Sequence, residues 1–219
     1  MGIFDQLQNG KGTVSSALGK ELAARALQGD LSVLEEALVL TVYDLPRAES
    51  KHIRAGAAKI IEIVAEKRAD LVAHHLEALL PALDAPEPQT RWMILRTFGL
   101  CASLAPDVAA KAIPFASREI QNKEGLIVAS SADLYLGDLG AASPQYAKSI
   151  FSILKVSAMS VIKNEADWIL EAFTAMCANL GDDEGRFVAG FAREYVEDTR
   201  KSTRKRAEKL MKLLNAAKP

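Results

Sequence analysis

One apolar template recurs along this chain at a nearly constant interval, and that recurrence constrains the fold more than any other feature. Ala57, Ile61 and Val64 form the first copy, and Ile94, Phe98 and Cys101 the second. Ala132, Leu136 and Leu139 follow, then Ile169, Phe173 and Met176, then Ala207, Met211 and Leu214. Each triplet has i, i+4, i+7 spacing, the stripe of a helix that buries one face. The steps from triplet to triplet are 37, 38, 37 and 38 residues. A fixed period in this range means stacked supersecondary units, each too small to bury its apolar face alone.

The segments between the copies read as their partner helices. Residues 1–12 carry Gly2, Gly10 and Gly12 and are expected to be a loose lead-in with at most one turn of helix. Thr13 to Gln28 is a helix with Thr13, Ser15 or Ser16 as N-cap and Gly29 beyond its end. Asp30 or Ser32 caps the next helix, and Pro46 bars helix at the residue before it. Leu71 to Leu83 is a further partner helix. Pro106 suits the first turn of another, which reaches Gln121 and kinks at Pro114. Ser143-Pro144 starts a helix to Ile162. Gly181-Asp182-Asp183 is a turn before helices at Phe187 to Glu197 and Lys201 to Ala216. The expected class is all-α: a right-handed α-α superhelix of about five antiparallel helix pairs behind an N-terminal helix. Residues 1–30 would be lead-in and cap, 31–199 the repeats, and 200–219 a basic capping helix of the same continuous domain.

The bulk properties fit a soluble protein of 219 residues, 49% hydrophobic and 25% charged. No basic stretch precedes an apolar one at the N-terminus, and no apolar run approaches the roughly 18 residues of a spanning helix. Cys101 and Cys177 lie two repeats apart and read as buried thiols in a cytoplasmic, reducing setting. From Asp198 to Pro219 eight bases face two acids, a net +6, which leaves −7 for the rest of a chain whose total is −1. The body is acidic and its last helix basic.

These residues resemble the HEAT-repeat family, including its bilin-lyase-like branch. Asp198 with Arg204 and Asp84 with Arg91 are similar to that family's pairing of an Asp near the first helix's end with an Arg near the second's start. The endings TFGLCASLAPD, YLGDLGAASP and AMCANLGDD are similar to second-helix endings of that branch. Ala129 and Ala166 stand where the third and fourth units would carry the Arg, so an Asp–Arg ladder cannot be continuous. The resemblance implies a curved solenoid whose second helices line the concave side, and a protein-binding role.

If so, the flank beside the buried stripe faces the groove. It carries Lys59 and Glu62, then Trp92 and Arg96, then Asp167 and Glu171, with Gly99 and Gly137 leaving room in the middle. Trp beside Arg is a composition enriched at binding hot spots. The competing reading is that the tryptophans pack between helices and the charges are a solvated face. Asp133 occupies a slot where Leu95 and Leu170 stand in neighbouring units, so it must be exposed, paired or proton-bearing; it joins the partner-binding set. In the last helix Arg200, Lys201, Arg204, Lys205, Lys209 and Lys212 could contact an acidic partner or phosphates. They could equally be the polar outer face of a cap. Gly10-Lys11-Gly12-Thr13 lacks the spacing of a phosphate loop. His52, His74 and His75 make no metal set, and no catalytic constellation or cofactor motif is visible.

Three functions compete. The first is a non-enzymatic scaffold, taken as a monomer, that holds a protein partner on its concave face. The second is a nucleic-acid protein that resembles the DNA alkylpurine glycosylases built from HEAT-like helices, whose Trp, Asp and Arg composition Trp92, Arg96, Asp133 and Trp168 echo. The third is a bilin-lyase-like enzyme, from the repeat endings alone. The acidic body argues against a DNA-cradling groove.

Overall fold

The computed structural model describes residues 2–9, 17–123 and 125–216. Their regular structure is entirely helical. They fall into two compact units, residues 1–112 and 113–219. The first holds α1 (Ile3–Asn9), α2 (Ala17–Leu27), α3 (Leu31–Thr41), α4 (Lys51–Lys67), α5 (Leu76–Leu79), α6 (Pro88–Cys101) and α7 (Pro106–Ala109). The second holds α8 (Ile113–Asn122), α9 (Leu126–Ala142), α10 (Pro144–Met159), α11 (Ala166–Met176), α12 (Asp182–Arg193) and α13 (Lys201–Ala216). The expected N-caps Thr13, Ser15 and Ser16 and the stretch Gly10 to Thr13 lie outside the described residues.

The recurring template is the core. Of its fifteen side chains only Met211 is half-buried, and the other fourteen are buried. In the first unit α4 packs against α2, α3 and α6; in the second α9 packs against α8, α10 and α11, and α11 against α13. Phe173, a template residue, has the rings of Phe151, Phe187 and Phe191 around it at 6.3, 6.4 and 5.8 Å between centroids. Such edge and tilted contacts add to the area they bury.

Four local departures from the expected helices have physical causes. The lead-in is a seven-residue helix rather than a single turn. Ile3 and Leu7 bury one side of it, and the Ile3 and Phe4 amides donate to the Glu36 carboxylate at 3.1 and 2.9 Å. Leu71 to Leu83 is not one helix but 3₁₀ turns around the single α turn of α5. Pro81 has no N–H for a helical bond, so the α turn cannot continue past Leu80. Similarly, Ala110–Ala112 is 3₁₀ ahead of Pro114. Lastly, α12 starts at Asp182, inside the expected turn. Its first turn carries Asp182, Asp183 and Glu184, acids that suit the positive end of the helix dipole.

Turns between paired helices use non-glycine residues in the left-handed region: Asp44 at φ 45°, Lys123 at 44° and Asn164 at 71°. Asp and Asn tolerate this conformation, whereas Lys does so only when its surroundings hold it. Asp30 stands at the N-cap of α3, but its carboxylate accepts from Arg25 and Ser32 instead of capping the helix.

Candidate functional site

On the flank of the second helices in the first unit, three of the expected residues come together. Lys59 and Glu62 are three apart on α4 and pair at 2.6 Å, with side chains 20% and 16% exposed. The Lys59 ammonium also lies 5.6 Å from the Trp92 ring centroid on α6. A cation over an indole face contributes about 0.5–1 kcal/mol where exposed and more when desolvated. Trp92 itself is half-buried, as is Arg96 on the next turn of α6. The result is a fixed indole plate edged by an ion pair.

The glycines do not open a groove. A methyl group on Gly137 would lie 2.4 Å from the Ala172 Cα and 2.7 Å from its carbonyl oxygen. Gly137 is therefore the point where α9 and α11 touch backbone to backbone, and the space expected there is filled. Gly99 is buried as well.

Asp133 is likewise not presented to a partner. It is 0% exposed, and neither carboxylate oxygen makes a hydrogen bond of ordinary geometry. Burial pushes its pKa up to about 7. The Ser157 hydroxyl works against that shift, the Glu165 charge adds to it, and Lys123 opposes it. Of the three options open to an acid in a leucine slot, the proton-bearing one fits this environment. The glycosylase-like composition thereby loses its acid from any open face.

Asp167 and Glu171 were expected as an acidic patch apart from a basic end, but the two are joined. Asp167 is 6% exposed and accepts from Arg200 at 3.0 Å, with Arg206 at 3.5 Å. Arg206 also donates to Glu171 at 2.8 Å. Arg200 reaches Asn164 too, and Arg204 donates to the carbonyls of Asp198 and Thr199 at 2.6 and 3.2 Å. The arginines at the start of α13 are spent inside the fold. Lys201, Lys205, Lys209 and Lys212 are exposed and have no hydrogen bond or ion pair among the described residues.

Sequence reasoning missed a fully enclosed cation, Arg54. Its side chain is 0% exposed. Nη1 donates to the Tyr43, Asp44 and Arg47 carbonyls, and Nε and Nη2 grip Glu87 at 2.9 and 2.7 Å. Burial raises the Glu87 carboxyl, but the hydrogen bonds from Arg54 and Thr90 outweigh it and hold the group below its ordinary value. Arg54 precedes Ala57 by three residues, as Arg91 precedes Ile94 and Arg204 precedes Ala207. That register was the available signal. All three guanidiniums bind turn carbonyls: Arg91 takes those of Ala85 and Pro86. Arg204 thus meets Asp198 at its carbonyl, and Arg91 holds the carbonyls of the turn that follows Asp84. In the second unit Lys123 bonds Glu165 at 2.6 Å, with the two side chains 12% and 0% exposed.

The remaining candidates stay apart. The His74 and His75 rings lie tilted to each other with centroids 4.9 Å apart, and burial followed by the His74 charge lowers the His75 pKa. Among the described residues no three metal-ligating side chains converge. Cys101 is buried and Cys177 half-buried, both as free thiols, and burial pushes the Cys101 pKa up to about 12. No described helix is long and apolar enough to cross a membrane.

No family model and no curated protein matches this chain. Among solved structures it is similar to an engineered protein from the Northeast Structural Genomics Consortium, with a TM-score of 0.65 and 14% identity over 99% of this chain and 98% of that one. It is similar to a designed armadillo repeat protein, with a TM-score of 0.61 and 12% identity over 97% and 99%. A second engineered protein from the same consortium has a TM-score of 0.61 and 10% identity over 90% of this chain and 58% of its own. At such identities the likeness is one of fold: an all-α helical-repeat solenoid.

Proposed function

We propose that this chain is a non-enzymatic interaction scaffold of HEAT-like repeats in a cytoplasmic setting, holding a segment of a partner protein along the flank of its second helices. One observation carries the reading: the half-buried Trp92 with Lys59 fixed over its ring and Glu62 fixed to Lys59. A large aromatic surface already held in place loses little freedom on binding, which is how a few residues come to dominate an interface.

Affinity capture with the wild type and Trp92→Ala, followed by identification of the proteins retained, tests it. A partner recovered by the wild type should fall by roughly tenfold or more with Trp92→Ala, a loss of at least about 1.4 kcal/mol. Thermal unfolding should stay nearly unchanged. A large drop in melting temperature would mean that Trp92 is packing, and the reading would fail. Glu62→Gln, which leaves the indole in place and avoids a like-charge clash with Lys59, supplies the second arm: it should weaken the same partner with only a small change in melting temperature.

The nucleic-acid alternative draws on the four exposed lysines of α13 alone, and preferred binding of a DNA duplex over an acidic peptide there would favour it.

A further inference from the structure

We propose that Lys201, Lys205, Lys209 and Lys212 on α13 form a docking surface for an acidic helical segment of another protein, about three turns long. This rests on α13 and its surroundings, not on the Trp92 flank. The helix buries Thr203, Ala207, Leu210 and Leu214, and at 100° per residue the four lysines share an arc of about 80° on the opposite side. They span twelve residues, about 16 Å along the axis. A partner helix with carboxylates at i, i+4, i+8 and i+11 repeats that spacing.

What favours a protein segment over a nucleic acid is what borders the stripe. Exposed Glu194 and Glu197 stand just ahead of α13. Glu208 lies on the margin of the stripe itself. Carboxylates thus border the positive surface at its start and along its margin. A nucleic acid carries charge at every nucleotide and would run onto those acids, whereas a short acidic helix with basic residues at its ends would not. The arginines of α13 are engaged in the fold, which leaves ammonium groups. These suit single carboxylates as point charges rather than planar bidentate contacts.

The test uses the full chain and three fluorescent probes of about the length of α13. One is a peptide with Glu at i, i+4, i+8 and i+11 and Lys at both ends, the second its scrambled sequence, and the third a short DNA duplex. Anisotropy at low salt should show the patterned peptide binding roughly tenfold more tightly than the scrambled one, a difference of about 1.4 kcal/mol. It should also bind more tightly than the duplex. Lys205→Glu with Lys209→Glu should cost roughly another tenfold, with thermal unfolding unchanged because both side chains are exposed. Trp92→Ala should leave this binding intact, which separates the stripe from the flank. Equal binding of the scrambled peptide would overturn the proposal, as would retention after the double charge reversal. So would preferred binding of the duplex with a salt slope near −4, about 0.9 per neutralised phosphate.

Discussion

Asp133 shows how a single side chain can tie the fold to pH. An unfolded chain releases this proton near 3.8, while the enclosed carboxyl keeps it until about 7. The folded-state value is raised, so the stabilisation it brings is whole below about 4, falls as pH rises towards 7, and is gone above that. At about 1.4 kcal/mol per pKa unit the ceiling is about 4 kcal/mol. Asp133→Asn keeps the shape and removes the proton. In urea titrations the variant should match the wild type near pH 4 and be a few kcal/mol more stable at pH 8; parallel curves at all pH would refute the buried acid. Glu87 has the opposite sign. Its lowered value makes its contribution present above the unfolded value and lost as pH falls through the folded one. The oddity of Asp133 was legible because leucines fill its slot in neighbouring repeats. Its enclosure was not, since that depends on how closely α10 and α11 approach α9.

Among whole helices, contact between neighbours depends on residues too small to leave a mark in a hydrophobic pattern. Gly137 looks like a gap in the sequence, yet it is where the α9 backbone comes against the Ala172 main chain of α11. Gly137→Ala places a carbon inside the Ala172 main chain, so the two helices must part. The expected loss is about 1–3 kcal/mol in chemical unfolding, and Gly190→Ala, which meets nothing within 4 Å, should cost nothing. Helix ends were readable where a proline or a left-handed residue marks them. The interruption after α5 was not, because the Leu71 to Leu83 stretch has helical spacing and only Pro81 betrays that the hydrogen bonds cannot run through it.

Across the molecule, the recurrence at 37–38 residues gave the helical-repeat architecture almost unaided, because a stripe repeated five times leaves few ways to bury it. The charge layout was far less legible. Counting acids and bases separates an acidic body from a basic end but cannot show that Arg200 and Arg206 reach back to Asp167 and Glu171. In a repeat protein each unit leans on its neighbours, so damage should stay local. Lys123→Met strips the cation from buried Glu165 and should cost about 3–5 kcal/mol. Amide exchange should then speed up in α8 to α11 while α2 to α4 keep their protection. Arg54→Met should give the reverse pattern, and uniform loss in either variant would show a single cooperative block.

The corners of this solenoid are not alike, and that limits how it can be edited. Arginine clasps the main-chain oxygens of some bends, while a lysine ammonium at Lys123 takes the Ser160 carbonyl at the bend where Ala166 stands in place of the guanidinium. Excising a single period would therefore splice mismatched fasteners, even though the greasy stripe on either side of the cut would still align. Lengthening or shortening this protein requires carrying each bend's own clasp along with it.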